Sequence, residues 1–98
     1  MENDVFLRLR RVIKKKLKDV SEEILVPQAG FIHDLGADSL DFVEIIMSAE
    51  EEFSIQIPLE ADGKIETIGD LKRIIEAVLR TNNHIHNVIK NNFLENFA

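Results

Sequence analysis

Three stretches of this chain place apolar residues at every third or fourth position, and the stretch between the first two does not. That pattern asks for helices joined by one long connection. Val5, Phe6, Leu9, Val12, Ile13 and Leu17 predict a helix over 4–18, with Asp4 as its N-cap. Ile68, Leu71, Ile74, Ile75, Val78 and Leu79 predict another over 68–81, opened by Thr67 with Asp70 three residues on, a near match to a capping box. The middle stretch, 38–53, is the most apolar. At 100° per residue, Leu40, Phe42, Val43, Ile45, Ile46, Met47, Ala49 and Phe53 cover about 200° of its wheel. Such breadth predicts a central helix packed on several neighbours. Asp38 is its expected N-cap with Asp41 at the third helical position. Its polar strip holds Asp41, Glu44, Ser48, Glu51 and Glu52, while Glu50 falls inside the apolar sector.

The connection at 19–37 contains Pro27, Gly30 and Gly36 and has no helical period. Connections this long tend to be functional. Ile24, Leu25, Val26, Phe31, Ile32 and Leu35 are expected to pin it to the core, and Gly36 to permit a turn that a side chain would hinder. Residues 54–58 alternate like a strand but lack a partner strand, so an extended loop is expected. Residues 59–63 suit one helical turn ended by Gly63. The fold class is therefore all-α: a small bundle of three main helices plus one short helix, with a long first loop. Residues 1–81 form the domain. Residues 82–98 are an extension with six Asn, partly helical or disordered.

Charge is unevenly spread. Residues 1–20 hold seven bases and three acids, a net of +4, and residues 21–98 hold five bases and fifteen acids, a net of −10. No Lys or Arg stands between Lys18 and Lys64, a stretch with twelve acids. A field of this kind repels nucleic acid and anionic lipid and attracts a partner with a basic patch. The bases of the first helix read as a solvated polar face. The start, Met1-Glu2-Asn3-Asp4, is acidic and leads into no apolar run, so no secretory leader is expected and the location is taken as cytoplasmic. No apolar run is long enough to span a bilayer.

Few residues offer chemistry. The absence of Cys removes disulfides, thiol catalysis and thiolate metal sites. Asp34-Leu35-Gly36-Ala37-Asp38 begins like a calcium loop, but Ser39 and Ile45 stand where that loop needs Gly and Glu. His84 and His86 lie on different helix faces and His33 is distant, so no metal site is assigned. A Ser39–His33 hydrolase pair lacks any motif that would fix its geometry. Ser39 itself is placed at the first turn of the middle helix. A capping role and a phosphate-bearing role are both open there.

Asp34-Leu35-Gly36-Ala37-Asp38-Ser39-Leu40-Asp41, then Val43-Glu44, Glu50-Glu51-Glu52-Phe53 and Ile57-Pro58, closely resembles the acyl carrier proteins of fatty acid synthesis, over about residues 5–80. The resemblance implies 4′-phosphopantetheine esterified to Ser39 from coenzyme A by a separate transferase, with acyl chains carried as thioesters on its thiol. It implies a non-catalytic protein. Its expected partners are the holo-acyl-carrier-protein synthase, fatty acid synthase enzymes and acyltransferases, docking basic patches on Asp38, Asp41, Glu44 and Glu51. It implies an acyl pocket among Val43, Ile46, Met47, Ile57, Ile65, Leu71 and Ile75. A monomer suffices. Phe42 is bulky where relatives are often small, and is expected to add an apolar contact for partners. Two alternatives stay open: a carrier of another cargo (polyketide, peptide, D-alanine or lipid A acyl), and an acidic adaptor with no arm.

Overall fold

The computed structural model describes residues 2–58 and 63–81. Helix α1 spans Glu2–Lys16 and helix α2 spans Ser39–Phe53, with a 3-10 turn at Glu22–Ile24 between them. Helix α3 covers 68–81, and a short 3-10 turn at 63–64 precedes it. No strand occurs among the described residues; a single isolated bridge joins Gly30 to Thr67. The all-α bundle expected from the periodicity is what forms. The extension at 82–98, and most of the turn expected at 59–63, lie outside the described residues; Gly63 lies within a 3-10 turn rather than after one.

Each helix buries apolar residues of its predicted stripe, α2 only some of them. Leu9, Val12 and Ile13 of α1, Ile45, Ala49 and Phe53 of α2, and Ile68, Leu71 and Ile75 of α3 are buried. Val5, Phe6, Leu17, Ile74, Val78 and Leu79 pack at the margin of this core. Asp4 is not the N-cap of α1. The helix already runs from Glu2, so Asp4 lies in its first turn, near the positive end of the helix dipole. At the other end, Lys14 Nζ donates to the carbonyls of Lys18 (3.0 Å) and Val20. Lys14, Lys15 and Lys16 all stand in the last turn, where cations favour the negative end.

The long connection is pinned, but by fewer side chains than its composition suggests. Leu25, Phe31 and Leu35 are buried as expected, joined by Ala29 and Ala37, while Ile24, Val26 and Ile32 face solvent. Backbone contacts with the start of α3 do the remaining work. Phe31 N–H donates to Glu66 O (2.9 Å), Ile68 N–H to Ala29 O (3.0 Å) and Gly69 N–H to Pro27 O (2.7 Å). The approach at Gly69 is close enough that a Cβ would sit 2.9 Å from the Pro27 carbonyl oxygen. Thr67 and Asp70 form the expected capping box: Thr67 Oγ1 accepts from Asp70 N–H (3.1 Å), and Asp70 accepts from Thr67 N–H (3.0 Å). Asp70 also accepts from Glu66 N–H (3.0 Å). These backbone donors, foremost that of Glu66, hold its carboxyl below the usual carboxylate range.

Residues 54–58 are extended without a ladder, as expected, and bury Ile55 and Ile57. Ser54 caps α2 in a left-handed conformation (φ 54°), its N–H donating to Glu50 and Glu51 carbonyls. Glu50 has a purpose there. Its carboxylate accepts from Ile57 N–H at 2.8 Å, which ties the extended segment back to α2.

Candidate functional site

The chain reaches Ser39 through alternating constraints. Asp34 and Leu35 N–H both donate to Gly30 O (3.0 Å each), and Ala37 N–H to Phe31 O (2.9 Å). Leu35 and Ala37 are buried on either side of Gly36, whose φ of 71° suits glycine. The next residue, Asp38, accepts from Asp41 N–H (2.8 Å), and Asp41 accepts from Asp38 N–H (3.2 Å), a reciprocal capping box. With Asp38 serving as the cap, Ser39 is not needed for that role. It is the first residue of α2, it is exposed, and among the described residues nothing takes up its hydroxyl. A hydroxyl that is anchored by its backbone yet chemically free fits covalent attachment of a phosphate-linked group. The helix N-terminus favours the phosphate, and the neighbouring Asp38 and Asp41 oppose it.

Past Ser39, α2 departs from expectation. Its broad apolar sector is not all core. Leu40, Val43 and Met47, spaced along one face, are 65%, 49% and 58% exposed. Only Ile45, Ala49 and Phe53 are fully buried, with Phe42 and Ile46 packed at the edge. The width of the sector is the sum of an inward stripe and an outward one, which a wheel alone cannot separate. The outward stripe shares the exposed side of α2 with acids. Asp38 and Glu51 are exposed, and Asp41 and Glu44 half-buried. Asp38 and Asp41 each use one carboxylate oxygen in the capping box. Glu44 is paired with Lys16 of α1 (3.1 Å). Glu52, outside the expected docking set, is paired with Arg8 (2.8 Å).

The seven residues expected to line an acyl pocket are parted. Ile57, Ile65, Leu71 and Ile75 are buried, Ile46 is half-buried, and Val43 and Met47 stand at the surface. A cavity of about 280 Å³ opens between the long connection, α2 and the approach to α3, lined by Phe31, Ile32, His33, Phe42, Ile65 and Glu66, so that Ile65 of the expected seven is in its wall. Phe42, half-buried, lines this cavity. Its ring meets Phe31 edge-on at 5.4 Å between centroids, a favourable aromatic geometry. Sequence reasoning missed Phe42 as a cavity wall and Leu40, Val43 and Met47 as a surface. The signal available for the latter was the excess width of the apolar sector.

Among the described residues no three His, Cys, Asp or Glu side chains gather as a metal site, and no helix is long and apolar enough to cross a membrane. His84 and His86 lie outside the described residues.

Residues 7–75 match the family described as "Phosphopantetheine attachment site". The chain belongs to the acyl carrier protein family. It is 46% identical over 77 residues to an acyl carrier protein of Phenylobacterium zucineum (strain HLK1), covering 79% of this chain and 96% of that one. It is 45% identical over 73 residues to an acyl carrier protein of Caulobacter vibrioides (strain NA1000 / CB15N), covering 74% and 92%. An acyl carrier role with a covalently attached 4′-phosphopantetheine follows, and the reading as an adaptor without an arm gives way. The free hydroxyl at the start of α2 is consistent with such a group.

Proposed function

We propose that this chain carries growing acyl chains in fatty acid biosynthesis, with Ser39 as the attachment point of its prosthetic arm. The observation that carries the proposal is the exposed Ser39 hydroxyl, unpartnered among the described residues, on a helix start whose cap is supplied by Asp38. When bound, the group supplies a terminal thiol that holds the acyl chain; the chain itself has no Cys. The protein residues hold the attachment oxygen in place, shelter the cargo and present a docking face. They catalyse no step, and partner enzymes bring the chemistry.

Asp38, Asp41, Glu44 and Glu51 are proposed to meet Lys and Arg of those enzymes, around the apolar stripe of Leu40, Val43 and Met47. Exposed ion pairs contribute only ~0–1 kcal/mol each, so such docking is brief and salt-sensitive. The acyl chain is proposed to enter at the cavity beside Phe42 and Phe31 and to part the contacts of Ile65. From there it reaches the core formed with Ile46, Ile57, Leu71 and Ile75. Burying it stabilises by about 0.8 kcal/mol per methylene. Val43 and Met47 serve the docking face instead.

The acid-rich α2 favours fatty acid synthesis over other cargoes. The experiment is mass spectrometry of the acylated protein taken from its native host. A ladder of acyl masses differing by two carbons supports the proposal. Aminoacyl or polyketide masses in place of that ladder overturn the cargo while leaving the carrier role intact.

A further inference from the structure

Four of the six bases of α1 make contacts of two kinds. Arg10 and Lys14 donate to main-chain carbonyls of the connection that follows, Arg10 to Glu22 O at 2.9 Å and Lys14 to Lys18 O at 3.0 Å. Arg8 and Lys16 instead cross to α2. Arg8 is held three ways: Nε to the Glu52 carboxylate (2.8 Å), a terminal nitrogen to Glu52 O (2.7 Å), and the guanidinium 4.3 Å above the Phe53 ring. Lys16 makes one contact across, Nζ to Glu44 Oε2 at 3.1 Å. Glu44 belongs to the acids proposed above to receive a partner's cations.

We infer that Lys16 is an intramolecular competitor for the docking acid Glu44, a latch that an incoming Lys or Arg of a partner enzyme must displace. The inference rests on the docking face proposed in the previous section. Its physics is exchange. A partner cation arriving at Glu44 replaces one ion pair with another, so this acid adds less to docking than a bare carboxylate would. Until it swings away, the Lys16 ammonium also repels the incoming base. The single contact of a flexible lysine, exposed and screened by salt, makes the exchange easy. Arg8, with its fork on Glu52 and its face on Phe53, is the permanent clamp between the helices. Lys16 therefore tunes partner affinity, and Arg8 holds α1 on α2.

The test is the rate at which Ser39 gains the phosphopantetheine mass from coenzyme A. A broad-specificity phosphopantetheinyl transferase is used at low salt, with the carrier well below KM. Lys16→Gln is compared with Lys15→Gln, which makes the same charge change at a neighbouring exposed side chain. Lys16→Gln is expected to load about two- to fivefold faster, the range to which the free energy of an exposed pair converts. The gain should vanish in a Glu44→Gln background and fade toward about 0.5 M salt. An equal gain from Lys15→Gln, a gain that survives in Glu44→Gln, or unchanged or slower loading of a folded Lys16→Gln protein overturns the latch. Equal loading of wild type, Lys16→Gln and Lys15→Gln beside slower loading of Glu44→Gln sinks the latch alone, and Glu44→Gln loading at the wild-type rate sinks the docking role of Glu44 with it. A wild-type chain that gains no mass at Ser39 sinks the attachment site and the latch together.

Discussion

Helices α2 and α3 begin with the same device and use it differently. Both open on a reciprocal capping box, Asp38 with Asp41 and Thr67 with Asp70. The α3 box is embedded in long-range contacts. Gly69 touches Pro27, Gly30 bridges to Thr67, and Asp70 gathers the N–H groups of Glu66 and Thr67. The α2 box is exposed at Asp38, and the residue after the cap offers its hydroxyl to solvent. One start fastens the long connection to the bundle. The other fixes a backbone while leaving its side chains free. The difference teaches that a helix N-terminus serves as structure or as site according to what surrounds an identical cap.

Variants can break that contrast. The largest expected effect is at Gly69. A Cβ there meets backbone, so Gly69→Ala should destabilise by about 1–3 kcal/mol, outweighing the gain in helix propensity. Thermal melting measures it, and a stabilised Gly69→Ala protein would mean that the Pro27–α3 junction is loose. Next come the caps. Thr67→Ala should cost about 1–2 kcal/mol and Asp38→Ala about 0.5–1 kcal/mol, since only the first loosens the connection as well. Equal costs by denaturant titration would erase the distinction between the two starts.

Much of this contrast was legible before the structure. The stripes fixed where α2 and α3 lie, and Asp38 and Thr67 stood where caps must stand. Partners far apart in sequence were not legible. Glu50 looks misplaced on a wheel until Ile57 N–H is seen against it. Ile24, Val26 and Ile32 look like anchors because a connection without a period gives no sign of which apolar residues turn inward. Asp4 looks like a cap because its side chain suits one, although the helix already runs from Glu2. The apolar breadth of α2 implied a buried helix, whereas part of it faces solvent, because spacing records apolarity and not what covers it. The docking acids were visible as composition, but Lys16 lying on Glu44 required the packing of α1 on α2.

Smaller effects sharpen the comparison. The carboxyl of Asp70 is held low in the folded chain, so it contributes stability above the ordinary carboxylate pKa, lost as pH falls through its folded value. In Asp70→Asn the fall in stability below about pH 4 should be shallower than in wild type. Identical acid profiles by circular dichroism would show that the α3 box carries no charge-linked stability. Smallest of all, Met47→Ser should change stability by no more than about 0.5 kcal/mol, because the side chain is already in water. The same variant should slow transferase loading, and a marked loss of stability would place Met47 in the core after all.

The central claim is that Ser39 is the tether. Its most direct measurement is the intact mass of the purified chain after incubation with coenzyme A, Mg²⁺ and a broad-specificity phosphopantetheinyl transferase, followed by peptide mapping. The account predicts one phosphopantetheine increment, mapped to Ser39 and absent from a folded Ser39→Ala protein. An increment that persists in Ser39→Ala, or that maps to another residue, contradicts it.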